Sequence, residues 1–171
     1  QEGVYRQLRE ALMAGRFDPG QVLTMAAVAK MFGTSQMPAR EALRQLVAEN
    51  ALLIVAQGSA VVPEVSLAKL DELCRARVVL ERTIVEAATM LVSDADIAKL
   101  EDLAEKHRES AATEGAYAML ERNRQFHFYL YRCGGSETLN QLVETLWLGM
   151  GPYMRLLARH IESRRAAHDP V

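Results

Sequence analysis

The stretch FGTSQMPAREALRQL, Phe32 to Leu46, constrains the fold more than any other part of the chain. A helix through it carries Gln36, Met37, Arg40 and Arg44 on one side, with Leu43, Leu46 and Val47 as an apolar stripe on another. One face docks and the other stays free. Just upstream, TMAAVAKM reads as a short helix with Thr24 as its N-cap, and Gly33 interrupts the chain before Thr34 and Ser35 cap the next helix. This is the pattern of a helix-turn-helix, which seats its second helix in the major groove of DNA. Guanidinium groups reach phosphates or guanine edges there only if the opposite face is anchored to a rigid support. Taken alone, the same residues also describe an amphipathic helix hairpin with two solvated arginines.

The residues that follow favour the first reading. LLIVAQGSAVVP, Leu52 to Pro63, consists of two apolar, β-branched runs flanking Gln57, Gly58 and Ser59, the pattern of a hairpin with a tight turn. A helix-turn-helix followed by a hairpin is a winged helix. The whole stretch from Gly15 to Val62 resembles the DNA-binding domain of the GntR superfamily of bacterial transcription regulators. The resemblance rests on Gly15, Pro19 and Gly20 before Leu23, then Ala29 and Gly33, then Ser35, Pro38, Arg40, Glu41, Ala42, Leu43 and Leu46, and finally Gly58. It implies DNA contacts from Ser35, Gln36, Met37, Arg40, Arg44, Gln57 and Gly58. In the family the recognition helix usually opens Ser-Arg-Thr-Pro, whereas this chain has Gln36 and Met37 in place of Arg and Thr. A glutamine suits adenine N6 and N7 where an arginine would prefer guanine O6 and N7, so the expected operator departs from the family's usual one.

Composition sets the outer limits. With 171 residues, 50% hydrophobic and 25% charged, the chain can build one or two globular domains. A net charge of −2 argues against indiscriminate nucleic-acid binding. The charge is mildly asymmetric, with six Lys/Arg against five Asp/Glu up to Val62 and fourteen against seventeen beyond it, as expected of a DNA head on an acidic body. Cys74 and Cys133 have no Cys-x-x-Cys spacing and read as free, semi-buried thiols of a reducing compartment. No apolar run suits a membrane span and no secretory leader is evident, so a cytoplasmic protein is expected. The numbering starts at Gln1 rather than a methionine, as if inside a longer gene product.

Helical spacing continues through the rest of the chain. Val4 to Ala14 reads as the first helix, ended by Gly15 and the Phe17-Asp18-Pro19-Gly20 turn. Beyond the wing, Ser66 caps a long helix from Leu67 to about Leu91, and Ser93 caps another from Asp94 to about Ala112. A third runs from Ala116 to Cys133 and stops at Gly134 and Gly135. Ser136 opens a fourth, which Gly149, Gly151 and Pro152 break before a last helix from Tyr153 to about Ile161. The predicted fold is therefore mainly α: a winged helix-turn-helix over residues 1–63, then an all-α antiparallel bundle over 64–171. The bundle is similar to the FCD effector domain of the FadR-like branch, a likeness carried by Arg77, Leu80 and Glu81 and by Asn123, Phe126 and His127.

Asn123 and His127 lie one helical turn apart and can face one ion, although a histidine among Phe126, Phe128 and Tyr129 also reads as an interior residue. The FCD likeness implies a cavity with a divalent metal such as zinc held by Asn123, His127 and His168, with His160 as a competitor. Asn123 stands where the family has Asp, which weakens that site. A further family histidine would fall past Val171, so the effector domain is expected to be incomplete at its C-terminal end. Arg77 matches a position that holds an effector carboxylate, as a bidentate guanidinium can, and it can equally pair with Glu81 one turn on. His107 reads as a solvated surface residue, and Met119, Leu120, Met150 and Met154 as core filling.

The resulting expectation is a dimeric, non-enzymatic transcription regulator, a repressor whose grip on double-stranded operator DNA answers to a small carboxylate. No cofactor beyond the metal is expected. Two other classes remain open at this stage: a metal-dependent enzyme using His127 and His168, for which no general base or nucleophile motif is present, and a helical protein-interaction module.

Overall fold

Apolar residues recur at helical spacing along most of the chain, and the computed structural model, which describes residues 2–55 and 58–168, is accordingly helical. The side chains of residues 2, 111, 112, 167 and 168 are not described. In chain order the elements are α1 (Glu2–Met13), β1 (Val22–Leu23), α2 (Met25–Met31), α3 (Gln36–Ala48), β2 (Leu53–Ile54) and β3 (Ala60–Val61). Then follow α4 (Leu67–Leu91), α5 (Asp94–Thr113), α6 (Ala116–Cys133), α7 (Glu137–Gly149) and α8 (Gly151–His168). The chain forms two units, one comprising the chain up to Leu70 with Trp147–Arg155, the other Asp71–Leu146 and the chain from Leu156 onward.

In the first unit the predicted hairpin gains a third strand. β3 lies between β1 and β2, antiparallel to both, with Val22 opposite Val61 and Leu53 opposite the same Val61. At two residues, β1 is too short for its periodicity to show in the sequence. Thr24 caps α2 as expected, its hydroxyl accepting the Ala27 N–H at 3.1 Å. Gly33 makes the turn at φ +61°, a conformation that costs a residue with a Cβ far more than it costs glycine. Ser35 occupies the N-cap position of α3, yet its hydroxyl makes no capping bond, contrary to the sequence expectation.

The segment 147–155 closes this unit. Tyr153 accepts the Ser66 N–H at 3.2 Å and donates to the Ser66 carbonyl at 3.0 Å, and Arg155 Nε donates to Asp18 Oδ1 at 2.7 Å. Only Met150 separates α7 from α8, and Pro152 sits in the first turn of α8, where a missing N–H costs nothing. The last helix consequently starts earlier and runs on to His168, past the expected end at Ile161.

The second unit is a helical bundle with sharply marked ends. Ser93 and Asp96 form a reciprocal capping box on α5, and Gly134 follows the last residue of α6. α5 and α6 lie antiparallel, because Tyr129 reaches Asp96 at 2.8 Å near one end and His107 Nδ1 lies 3.2 Å from the Met119 carbonyl near the other. His107 is thus a half-buried link between two helices rather than a solvated residue. Cys133 is half-buried and Cys74 is exposed on α4, so only the first fits the semi-buried expectation.

Gly151 permits a close backbone approach in the first unit. A Cβ there would lie 2.2 Å from the Leu12 carbonyl oxygen, a backbone atom that cannot swing aside. Gly151→Ala is therefore expected to destabilise the protein by about 1–3 kcal/mol through overpacking. Urea unfolding followed by circular dichroism measures this as a lower midpoint at unchanged slope.

Candidate functional site

The first candidate surface is built on α3. Ala39, Ala42, Leu43 and Leu46 are buried and define the face that docks, while Ser35, Gln36, Met37, Arg40 and Arg44 are all exposed. Val47, which the sequence places in the apolar stripe, is only half-buried. The C-terminal end of α3 is tied to α1: Glu49 receives the Tyr5 hydroxyl and, at 3.2 Å, Arg9 Nε. At the other end α3 has no acidic residue in its first turn and no side-chain cap from Ser35, and its first residues, Gln36 and Met37, are exposed at the positive end of the dipole. Such an end suits a phosphate.

Beside α3 stands the wing. A groove of about 180 Å³ runs between them, with Leu43, Val47, Ile54 and Ala60 as its apolar floor and Arg40 and Arg44 among its lining residues. Ile54 is 76% exposed on β2. Gly58 lies exposed at the turn between β2 and β3, and Gln57 falls outside the described residues. Cations flanking an apolar trough next to an exposed helix can hold a sugar-phosphate backbone while the helix meets base edges.

The second candidate site is in the bundle. Arg77 Nε lies 2.6 Å from Glu81 Oε1, with the two side chains 21% and 20% exposed, so the one-turn ion pair weighed in the sequence is present. An incoming carboxylate would have to share or displace Glu81. His127 is half-buried on α6 with the edge of Phe126 against it, and the Tyr131 hydroxyl lies 3.4 Å from its Nδ1. Burial pushes the imidazole below its ordinary value; Glu81 pulls it back, while Arg77 and His107 push it further down. These influences place Arg77, Glu81, His107 and His127 in one electrostatic neighbourhood. Tyr131, 1% exposed, and His107 were not singled out from the sequence as members of this group. The one available signal was Tyr131 following His127 by one helical turn.

Asn123 is half-buried one turn before His127, His160 is exposed on α8, and the side chain of His168 is outside the described residues. Among the described residues no three His, Cys, Asp or Glu side chains converge as a metal site. No described helix is long and apolar enough to cross a membrane.

The lowered His127 value fixes a pH dependence. The unfolded imidazole binds its proton first on acidification, so the stability is complete above the unfolded value near 6.5 and is lost as pH falls through it toward the folded value. Thermal melts should show a larger loss of Tm between about pH 8 and about pH 5.5 for the parent than for His127→Gln, which does not titrate. Equal losses in both would assign the dependence to other groups.

Comparison with known proteins gives a family for each of the two parts of the chain. Residues 1–62 match the family described as bacterial regulatory proteins, gntR family, and residues 72–170 match the FCD domain. The chain is 33% identical over 154 residues to the HTH-type transcriptional regulator McbR of Escherichia coli (strain K12), covering 90% of this chain and 70% of that one. It is 30% identical over 149 residues to the HTH-type transcriptional repressor GlaR of the same strain, covering 84% and 67%. The solved structure of E. coli McbR/YncC superposes with a TM-score of 0.87 at 31% identity over 95% of this chain and 81% of that one. A GntR structure from Rhodococcus sp. RHA1, at TM-score 0.71 and 17% identity, shares the fold over 97% of this chain and 80% of that one. These relatives are transcription regulators, and the chain is a regulator rather than an enzyme. It belongs to the GntR family of bacterial transcription regulators, with a winged helix-turn-helix head joined to an FCD domain.

Proposed function

We propose that this regulator is a cytoplasmic repressor that binds a two-fold symmetric operator as a homodimer and releases it when a small carboxylate enters the bundle. The observation that carries the reading is α3 itself: one face is buried and pinned through Glu49, and the other presents Gln36, Met37, Arg40 and Arg44 beside the wing. A single head offers one short reading helix, so useful selectivity needs two heads on paired half-sites. Exposed Val78, Val79 and Met90 on α4 supply apolar surface of the kind a second copy covers. A repressor role is supported by the likeness to GlaR, which carries that name.

On the sensing side, Arg77 is the group suited to a carboxylate, and the Glu81 pair keeps it positioned until one arrives. The metal that the family implies fits less well. Burial favours the neutral, ligating form of His127, but Asn123 offers a neutral amide in place of a carboxylate, and no three His, Cys, Asp or Glu side chains converge there among the described residues. Arg77 therefore holds the carboxylate, with His127 in the same electrostatic neighbourhood. The effector can act only through unequal affinity for the head arrangements that hold and release operator.

Gel retardation on the promoter beside its own gene, at two salt concentrations, tests DNA binding. Arg40→Ala and Arg44→Ala should each weaken it. A phosphate contact loses affinity on all sequences alike, whereas a guanine contact loses about 1–3 kcal/mol at one base pair. Unchanged binding in both variants would remove α3 from the interface. The double variant Arg77→Ala, His127→Ala should remain dimeric and bind operator, yet no longer release it with the carboxylate that releases the parent; normal release would place sensing elsewhere.

A further inference from the structure

Met37 is the least expected residue on the reading face of α3. An α-helix turns by about 100° per residue, so the buried set Ala39, Ala42, Leu43 and Leu46 fixes which direction points away from the core. Met37 lies almost opposite the middle of that set. Arg44, two turns further on, lies nearly in line with it. Met37 therefore stands at the outer crest of the helix, in its N-terminal turn, and is 66% exposed. Its neighbours Ser35, Gln36 and Arg40 are polar and exposed as well, and it does not line the groove between α3 and the wing.

In a helix-turn-helix the N-terminal residues of the second helix meet base edges, so the crest of that turn reaches deepest into the major groove. A thioether has no donor and is at most a weak acceptor, which leaves it unable to read the hydrogen-bonding pattern of a base pair. The major groove offers one apolar feature on a base edge, the 5-methyl group of thymine. Methionine is unbranched and polarisable, and it adapts its shape to such a group. We propose that Met37 reads the 5-methyl of one thymine in each operator half-site. This inference rests on the DNA-binding reading of α3 and assigns the base class that one position of it selects.

The test begins by selecting preferred duplexes from a randomised pool with the parent protein. Each thymine of a selected half-site is then replaced by uracil, which keeps every hydrogen-bonding group and removes only the methyl. The parent should lose about fourfold in affinity per half-site at one position, the equivalent of about 0.8 kcal/mol for one buried carbon. Met37→Ala should be indifferent to uracil at that position, whereas Met37→Leu, which restores an apolar side chain, should be sensitive again. Met37 is exposed, and unchanged melting temperatures will show that the variants remain folded. A parent that selects a duplex but responds to no uracil overturns the methyl contact and leaves the DNA reading intact. Equal sensitivity in parent and Met37→Ala assigns the methyl to another residue and also overturns it. If no duplex is selected at all, the DNA reading fails and this inference fails with it.

Discussion

Burial of Ala39, Ala42, Leu43 and Leu46 is the constraint on which the head depends. Each leucine contributes about 1.5–3 kcal/mol by leaving water, and the two alanines let the neighbouring helices approach closely. Because that face can dock in only one way, the direction of every other side chain on α3 follows from it. The link from Glu49 to Tyr5 and Arg9 then prevents the helix from rocking about its stripe. A surface ion pair contributes little, but here Arg9 and Glu49 are 15% and 27% exposed, and a hydroxyl shares the same carboxylate.

In the bundle the same logic works through polar groups. α5 and α6 are held in register by Asp96 with Tyr129 and by His107 with the Met119 carbonyl, so His127 on α6 has a defined position. Arg77 and Glu81 on α4 influence its proton affinity in opposite senses. A carboxylate arriving at Arg77 would disturb a balanced pair beside a half-buried imidazole, where an added charge is screened less than at the surface. Such a group responds to ligand charge more strongly than a solvated pair would.

Much of this was legible in the sequence, for identifiable reasons. Helix ends carry their own chemistry: Thr24, Ser66 and Ser93 stand at the starts of α2, α4 and α5, and Gly134 follows the end of α6, as their residue types predict. Strand β1 was not legible, because two residues show no alternation and its partner β3 lies far along the chain. The early start of α8 is not legible because a proline within a helical pattern suggests a break, although one in a first helical turn loses nothing. At the candidate sites, Arg40, Arg44 and Met37 could be placed from periodicity alone, since exposure on a helix follows from its apolar stripe. Contacts between helices, such as His107 with Met119 or Tyr131 with His127, depend on packing that spacing along one helix does not encode.

The central claim is that α3 meets DNA with its N-terminal turn while its opposite face stays docked. Amide hydrogen exchange with and without a selected duplex tests this directly, because the first N–H groups of a helix lack intrahelical partners and exchange quickly when free. The account predicts new protection at Gln36 and Met37 and around Gly58, with α5 and α6 unchanged. Protection confined to the bundle, with exchange at Gln36 and Met37 unaltered by DNA, would contradict it.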